Sequence, residues 1–140
     1  MASTLFVHHS ADYDGLFSAA VGKKFLPEDT VFVGWDYGQP LVQGWQAYDN
    51  VYVVDLNPGC LEGFDASPHN RERVVYIDHH KSAIEKYSGM GPVDGYRRDG
   101  VAACRLLWQW FAHQSGDGQK PDAFLLPSVE EYRDRRVVEP

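Results

Sequence analysis

The stretch that decides the fold is Arg73-Val74-Val75-Tyr76-Ile77-Asp78-His79-His80-Lys81. Its first half is a β-branched and aromatic run of the kind that forms a buried strand. The run stops abruptly in a carboxylate and two adjacent imidazoles. In open α/β sheets ligands gather outside the carboxyl ends of strands, so Asp78, His79 and His80 stand where sites are usually built.

Working outward, Asn50-Val51-Tyr52-Val53-Val54 is the clearest strand upstream, and it stops at Asp55-Leu56-Asn57-Pro58-Gly59, where Pro58 and Gly59 break the run. Thr4-Leu5-Phe6-Val7-His8 is a third apolar run, ending in His8-His9-Ser10-Ala11-Asp12-Tyr13-Asp14-Gly15. Three strands therefore end in ligand-type residues. After the first of them, Phe17, Val21 and Phe25 recur at helical spacing with Leu16 and Ala20 beside them, and Asp14 is placed to cap that helix. Thr30-Val31-Phe32-Val33-Gly34-Trp35 reads as a further strand, and Asp36-Tyr37-Gly38-Gln39-Pro40 as a turn-rich connection. Downstream, Asp99-Gly100 opens the strongest helix of the chain, with Val101, Cys104, Trp108 and Phe111 on one stripe and Leu107 widening it. Residues 114–121 read as a linker by composition and 124–132 as a last short helix. Strands alternating with helices predict an α/β fold: an open, mostly parallel sheet flanked by helices, its carboxyl ends on one edge.

A chain of 140 residues is expected to form one domain, 1–140, with a substantial core. Hydrophobic residues at 44% and charged ones at 24% argue against disorder. Thirteen Lys and Arg against 20 Asp and Glu give a net charge of −7, which argues against a broad electrostatic grip on long nucleic acid. A short anionic ligand held by metal ions or a few local cations is compatible with it. Cys60 and Cys104 lack any Cys-x-x-Cys spacing, so neither a disulfide framework nor a zinc knuckle is expected, and a reducing cytoplasm fits. No apolar run approaches the roughly 20 residues that span a bilayer, and the amino terminus lacks the layout of a signal peptide.

The converging residues are His8, Asp12, Asp14, Asp55, Asp78, His79 and His80. Hard carboxylate oxygen mixed with imidazole nitrogen, and no thiolate, suits Mn²⁺, Co²⁺ or Mg²⁺ better than structural zinc. Carboxylates gathered this closely repel one another unless cations neutralise them. Two ions about 3.5–4 Å apart, bridged by one carboxylate, activate a water and stabilise an in-line displacement at phosphorus.

These motifs resemble the DHH phosphoesterase superfamily, whose name Asp78-His79-His80 spells. The family's first motif, His with Asp four and six residues on, matches His8, Asp12 and Asp14, with His9 as the alternative ligand. Its second motif, an aspartate ending a central strand, matches Asp55 in Val53-Val54-Asp55-Leu56-Asn57. Asp99-Gly100-Val101-Ala102-Ala103-Cys104 resembles the small-residue helix start after the third motif, with Val101 where a Ser is common. A further family aspartate is assigned to Asp134 in Glu131-Tyr132-Arg133-Asp134-Arg135.

The resemblance implies a three-layer sandwich and two divalent ions, Mn²⁺ first, with Mg²⁺ or Co²⁺ as alternatives. It implies His8 and Asp12 on one ion, Asp14 and His79 on the other, and Asp55 and Asp134 shared. His80 then becomes a phosphate contact and Asp78 an orienting carboxylate, the pair forming the catalytic group beside the metals. The implied activity is hydrolysis of a phosphoester, a nucleotide or a short single-stranded oligonucleotide. Family enzymes generally carry a second, carboxy-terminal domain that supplies basic residues to the substrate. This sequence is read as the catalytic domain without it, so Lys81, Arg97, Arg98 and Arg105, or a second copy of the chain in a homo-oligomer, are the expected replacements. A DHH-like domain that binds a nucleotide or a protein without turnover is the alternative. A phosphoacceptor receiver domain would use Asp12, Asp14, Asp55 and the pair Lys120-Pro121, but it leaves His8 and Asp78-His79-His80 without a role. Trp108, Trp110 and Phe111 are expected in the core, and Trp35 and Tyr37 near a ligand edge.

Overall fold

The computed structural model describes residues 3–115; the helix expected over 124–132, Lys120 and Asp134 lie outside the described residues. Four strands, β1 (Thr4–His9), β2 (Val31–Trp35), β3 (Asn50–Val54) and β4 (Val74–Ile77), form one sheet in the order β2-β1-β3-β4. Every pairing is parallel. The α/β sandwich expected from the alternation of strands and helices is the fold observed.

Two-residue periodicity divides the strands between two cores. Leu5, Val7, Val51, Val53, Val74 and Tyr76 pack on one face, while Phe6, Val54 and Ile77 pack on the other. The first face is covered by short 3-10 turns, which bring Trp45, Cys60 and Phe64, and by Tyr87 of α2 (Lys81–Tyr87). The second is covered by α1 (Tyr13–Phe25) and α3 (Ala103–Ser115), which bring Ala19, Leu106, Leu107, Trp110 and Phe111. Burying side chains of this size contributes about 1.5–3 kcal/mol each. Residues 94–97 run beside β4 in parallel bridges at Val75–Asp94 and Asp78–Arg97, so β4 is not a bare edge.

The helix α1 buries a different face from the one its large apolar residues predict. Gly15, Ser18, Ala19 and Gly22 are its buried residues, whereas Phe17 is 59% exposed and Leu16 49%. The reason is distance: a Cβ on Gly22 would stand 2.7 Å from the Phe6 ring, so the helix lies against the sheet closer than a side chain permits. Val21 and Phe25 pack sideways, Phe25 stacking on Phe111 of α3 at 5.0 Å. The cap also differs from expectation. Asp12, not Asp14, accepts the Gly15 N–H at 2.8 Å. Among the described residues no helix is long and apolar enough to cross a membrane.

Candidate metal centre

The parallel register places the site. His8 pairs with Val54 and Val54 with Ile77, so one step further on the three central strands deliver His9, Asp55 and Asp78 to the same edge. On the other side His9 pairs with Trp35, and Asp36 follows. All four strands thus end in a carboxylate or an imidazole, one more than the sequence reading counted. Asp36, expected in a turn, is identified by its position directly after a strand.

Asp55 is the centre of this edge. It is the one non-glycine among the described residues with positive φ, at 62°, a conformation that aspartate tolerates better than most residues. Its N–H donates to the Ile77 carbonyl at 2.9 Å, which continues the sheet as the side chain turns into the site. The side chain is fully buried. Oδ1 meets His79 Nε2 at 3.0 Å, while buried Oδ2 has no hydrogen-bond partner and stands 3.6 Å from His9 Nδ1. Burial raises the Asp55 pKa, against the opposing bond from His79. An oxygen of Asp12 lies within 4.8 Å of one of Asp55, and the negative charge of Asp12 raises the Asp55 pKa further.

His9 is surrounded by carboxylates. Its Nδ1 is 3.1 Å from Asp12 and its Nε2 3.0 Å from Asp36. Burial disfavours the charged ring, but the bond to Asp36 and the charge of Asp12 outweigh it and raise the pKa. The neighbouring His8 points to the other face of the sheet, as alternation requires. Its Nδ1–H donates to the His9 carbonyl at 3.0 Å, it packs beside Phe6, and burial lowers its pKa. Of the two histidines considered for the first motif, the structure brings His9 and not His8 to the carboxylates.

Asp14 joins two parts of the site. Its oxygens accept the N–H groups of Ala103 and Cys104, both at 2.9 Å, and Oδ2 lies 3.2 Å from His79 Nε2. The first turn of α3 is therefore capped by a residue from the first turn of α1. Asp14→Ala is expected to lower stability by about 1–2 kcal/mol through loss of this cap, read as a shift in the urea midpoint of metal-free protein.

Asp78 is fully buried and already occupied. Its Oδ1 accepts His79 N–H at 2.8 Å and His80 Nδ1–H at 2.7 Å, and its Oδ2 accepts the Tyr76 hydroxyl at 3.3 Å. This bond to Asp78 raises the His80 pKa to about 9. The bond to Asp55 raises that of His79. Two groups result in which donor atoms lie within 4.8 Å of one another, His9 with Asp12 and Asp55, and Asp55 with Asp78, His79 and His80. A cluster able to coordinate a divalent ion is therefore present, and Asp55 belongs to both halves of it.

The expected basic residues separate. Lys81 is exposed beside His80 at the start of α2. Arg97 is buried and donates to the carbonyls of Tyr76, Val93 and Asp94, with its guanidinium over the Tyr76 ring; its charge is committed to the fold, a correction to its expected place on substrate. Arg98 keeps a buried Nη1 without a hydrogen-bond partner. Arg105 lines an apolar hollow of about 440 Å³ between α1 and α3, with Phe17, Ala20, Val21, Cys104 and Trp108. Burial pushes the Cys60 and Cys104 thiols up to about 12, so both are protonated and unreactive at neutral pH.

No curated protein and no solved structure matches the chain. Residues 3–129 match the description "DHH family, N-terminal domain". With strands, motifs and acidic edge in the order that the family requires, the chain belongs to the DHH family.

Proposed function

We propose that this domain is a metal-dependent phosphoesterase that hydrolyses a phosphoester or short nucleotide substrate. One observation carries the reading: Asp55 is fully buried, has an oxygen without a partner, and belongs to both donor groups. A buried carboxylate costs several kcal/mol unless its charge is matched, and one with an oxygen still free of hydrogen bonds is suited to bridging divalent cations. His9 and Asp12 would hold one ion together with Asp55, and Asp14 and His79 would hold the other with it. Such ions, when bound, supply a water of lowered pKa and neutralise charge on the phosphoryl oxygens. The donor set, oxygen and imidazole without thiolate, favours Mn²⁺, with Mg²⁺ or Co²⁺ next.

The chain's own residues do the rest. Asp78 fixes the ring of His80 through Nδ1, which leaves Nε2–H as the donor for a phosphate oxygen or a departing alkoxide. Lys81 adds a second positive charge at the same corner. The test is hydrolysis by the Mn²⁺-loaded protein of p-nitrophenyl esters, adenosine bisphosphate, cyclic dinucleotides, short oligonucleotides and pyrophosphate. At least one should turn over, and His80→Gln should lower kcat by about 10²–10³ with metal content unchanged. If Mn²⁺ binds and every substrate is left intact, the enzyme reading fails and a binding role replaces it.

A further inference from the structure

A cavity of about 410 Å³ opens beside His80, lined by Tyr37, Asn57, His80, Ser82, Ala83 and Lys86. It shares His80 with the candidate metal centre and lies between the connection after β2, the turn after β3, and α2. Tyr37 is the notable wall. It is 57% exposed, yet it is held edge-to-face by the His9 ring at 5.8 Å and the Trp35 ring at 5.3 Å. Its N–H is also bonded to Asp36, the carboxylate that holds His9. An aromatic ring that is both exposed and fixed loses little entropy when a flat group covers it.

Except for Ala83, the other walls carry polar groups. Asn57 commits Oδ1 to the Gly59 N–H, so what it has left for a ligand is its amide nitrogen. Ser82 contributes a hydroxyl, and Lys86 an exposed side chain whose ammonium lies 5.4 Å from the Tyr87 ring centroid. Inorganic phosphate or pyrophosphate would have no use for an aromatic face. A planar heterocycle joined through a sugar to a phosphate at His80 would use all of these groups at once.

We propose that this cavity is a nucleobase subsite, with Tyr37 as its stacking platform and the determinant of preference for nucleotidyl over base-free phosphates. The inference rests on the phosphoesterase reading of the neighbouring site and narrows its substrate class. A stacked base on one aromatic ring commonly contributes about tenfold or more in affinity.

The test compares two probes, adenosine 5′-monophosphate and ribose 5-phosphate, in calorimetric titrations of the Mn²⁺-equilibrated protein. The wild type is expected to bind the adenosine compound about tenfold more tightly. In Tyr37→Ala the ratio should fall to about one, while Tyr37→Phe should keep it. Ala83→Trp, which places a ring in the cavity from α2, should also abolish the preference. Because each readout is a ratio within one variant, a loss of metal or of fold that weakens both probes alike cannot mimic the expected result. Equal binding of the two probes by the wild type, or an unchanged ratio in both Tyr37→Ala and Ala83→Trp, overturns the proposal. Base preference without hydrolysis of any ester would remove the enzyme reading and leave the subsite; hydrolysis without base preference would do the reverse.

Discussion

Asp55→Asn is expected to weaken metal binding by at least about a hundredfold, a loss of the size seen when even a supporting residue of a metal site is removed, and to take hydrolysis with it. Asparagine keeps the shape of the side chain and tolerates the left-handed backbone at φ 62°, so the substitution removes little besides charge. Both donor groups lose their common member together. The metal-free protein should respond in the opposite sense. The folded-state pKa of Asp55 is raised by burial, so its charge opposes folding above that pKa, and the metal-free wild type gains stability as pH falls through it. The Asn variant lacks that pH-dependent gain and at neutral pH should melt no lower than the metal-free wild type. Adding Mn²⁺ should then raise Tm in the wild type alone. An equal rise in both proteins would show that Asp55 holds no metal.

Gly15→Ala is the second large effect, and it acts through geometry. A Cβ at Gly15 would lie 2.0 Å from the His9 carbonyl oxygen and 2.9 Å from the His9 Cβ. The first of these is backbone, so no side-chain rotation relieves the clash and the start of α1 has to leave the end of β1. A cost of about 3 kcal/mol is expected, at the upper end for overpacking, with metal binding lost because Asp12 is both the cap of α1 and a neighbour of His9. Gly89→Ala provides the comparison: nothing lies within 4 Å of a Cβ there and its φ is not positive, so its stability should change by no more than about 0.5 kcal/mol. Urea midpoints of the three proteins decide the matter; a Gly15→Ala variant as stable as Gly89→Ala would contradict the close approach of helix to strand.

What the sequence reveals here follows the range of the interaction. Strand runs such as Asn50-Val51-Tyr52-Val53-Val54 carry their own propensity, and a carboxylate directly after such a run is placed by the strand itself. That made Asp55 and Asp78 readable, and it would have made Asp36 readable too. The face on which a residue lies depends on parity within the strand. One position separates His8 from His9, and only the pairing with β3 fixes which of them faces Asp55. The buried side of α1 was hidden for a different reason. Hydrophobic periodicity favours large residues, whereas this helix is positioned by glycines, serine and alanine whose value is their lack of volume. The cap of α3 was out of reach altogether, since Asp14 and Ala103 are 89 positions apart.

The strand order has a consequence for how the molecule is made. β1 lies inside the sheet, between β2 and β3, and it is the first of the four strands to be synthesised. Its buried Leu5, Phe6 and Val7 gain their neighbouring strands only when Val31–Trp35 and Asn50–Val54 have been synthesised. At about 5–20 residues per second, that interval is a few seconds in which the first strand of the site's scaffold waits unpaired. Nascent-chain pull-down should find chaperones most abundant on intermediates from which β1 has emerged and β3 has not, and released once β3 has emerged.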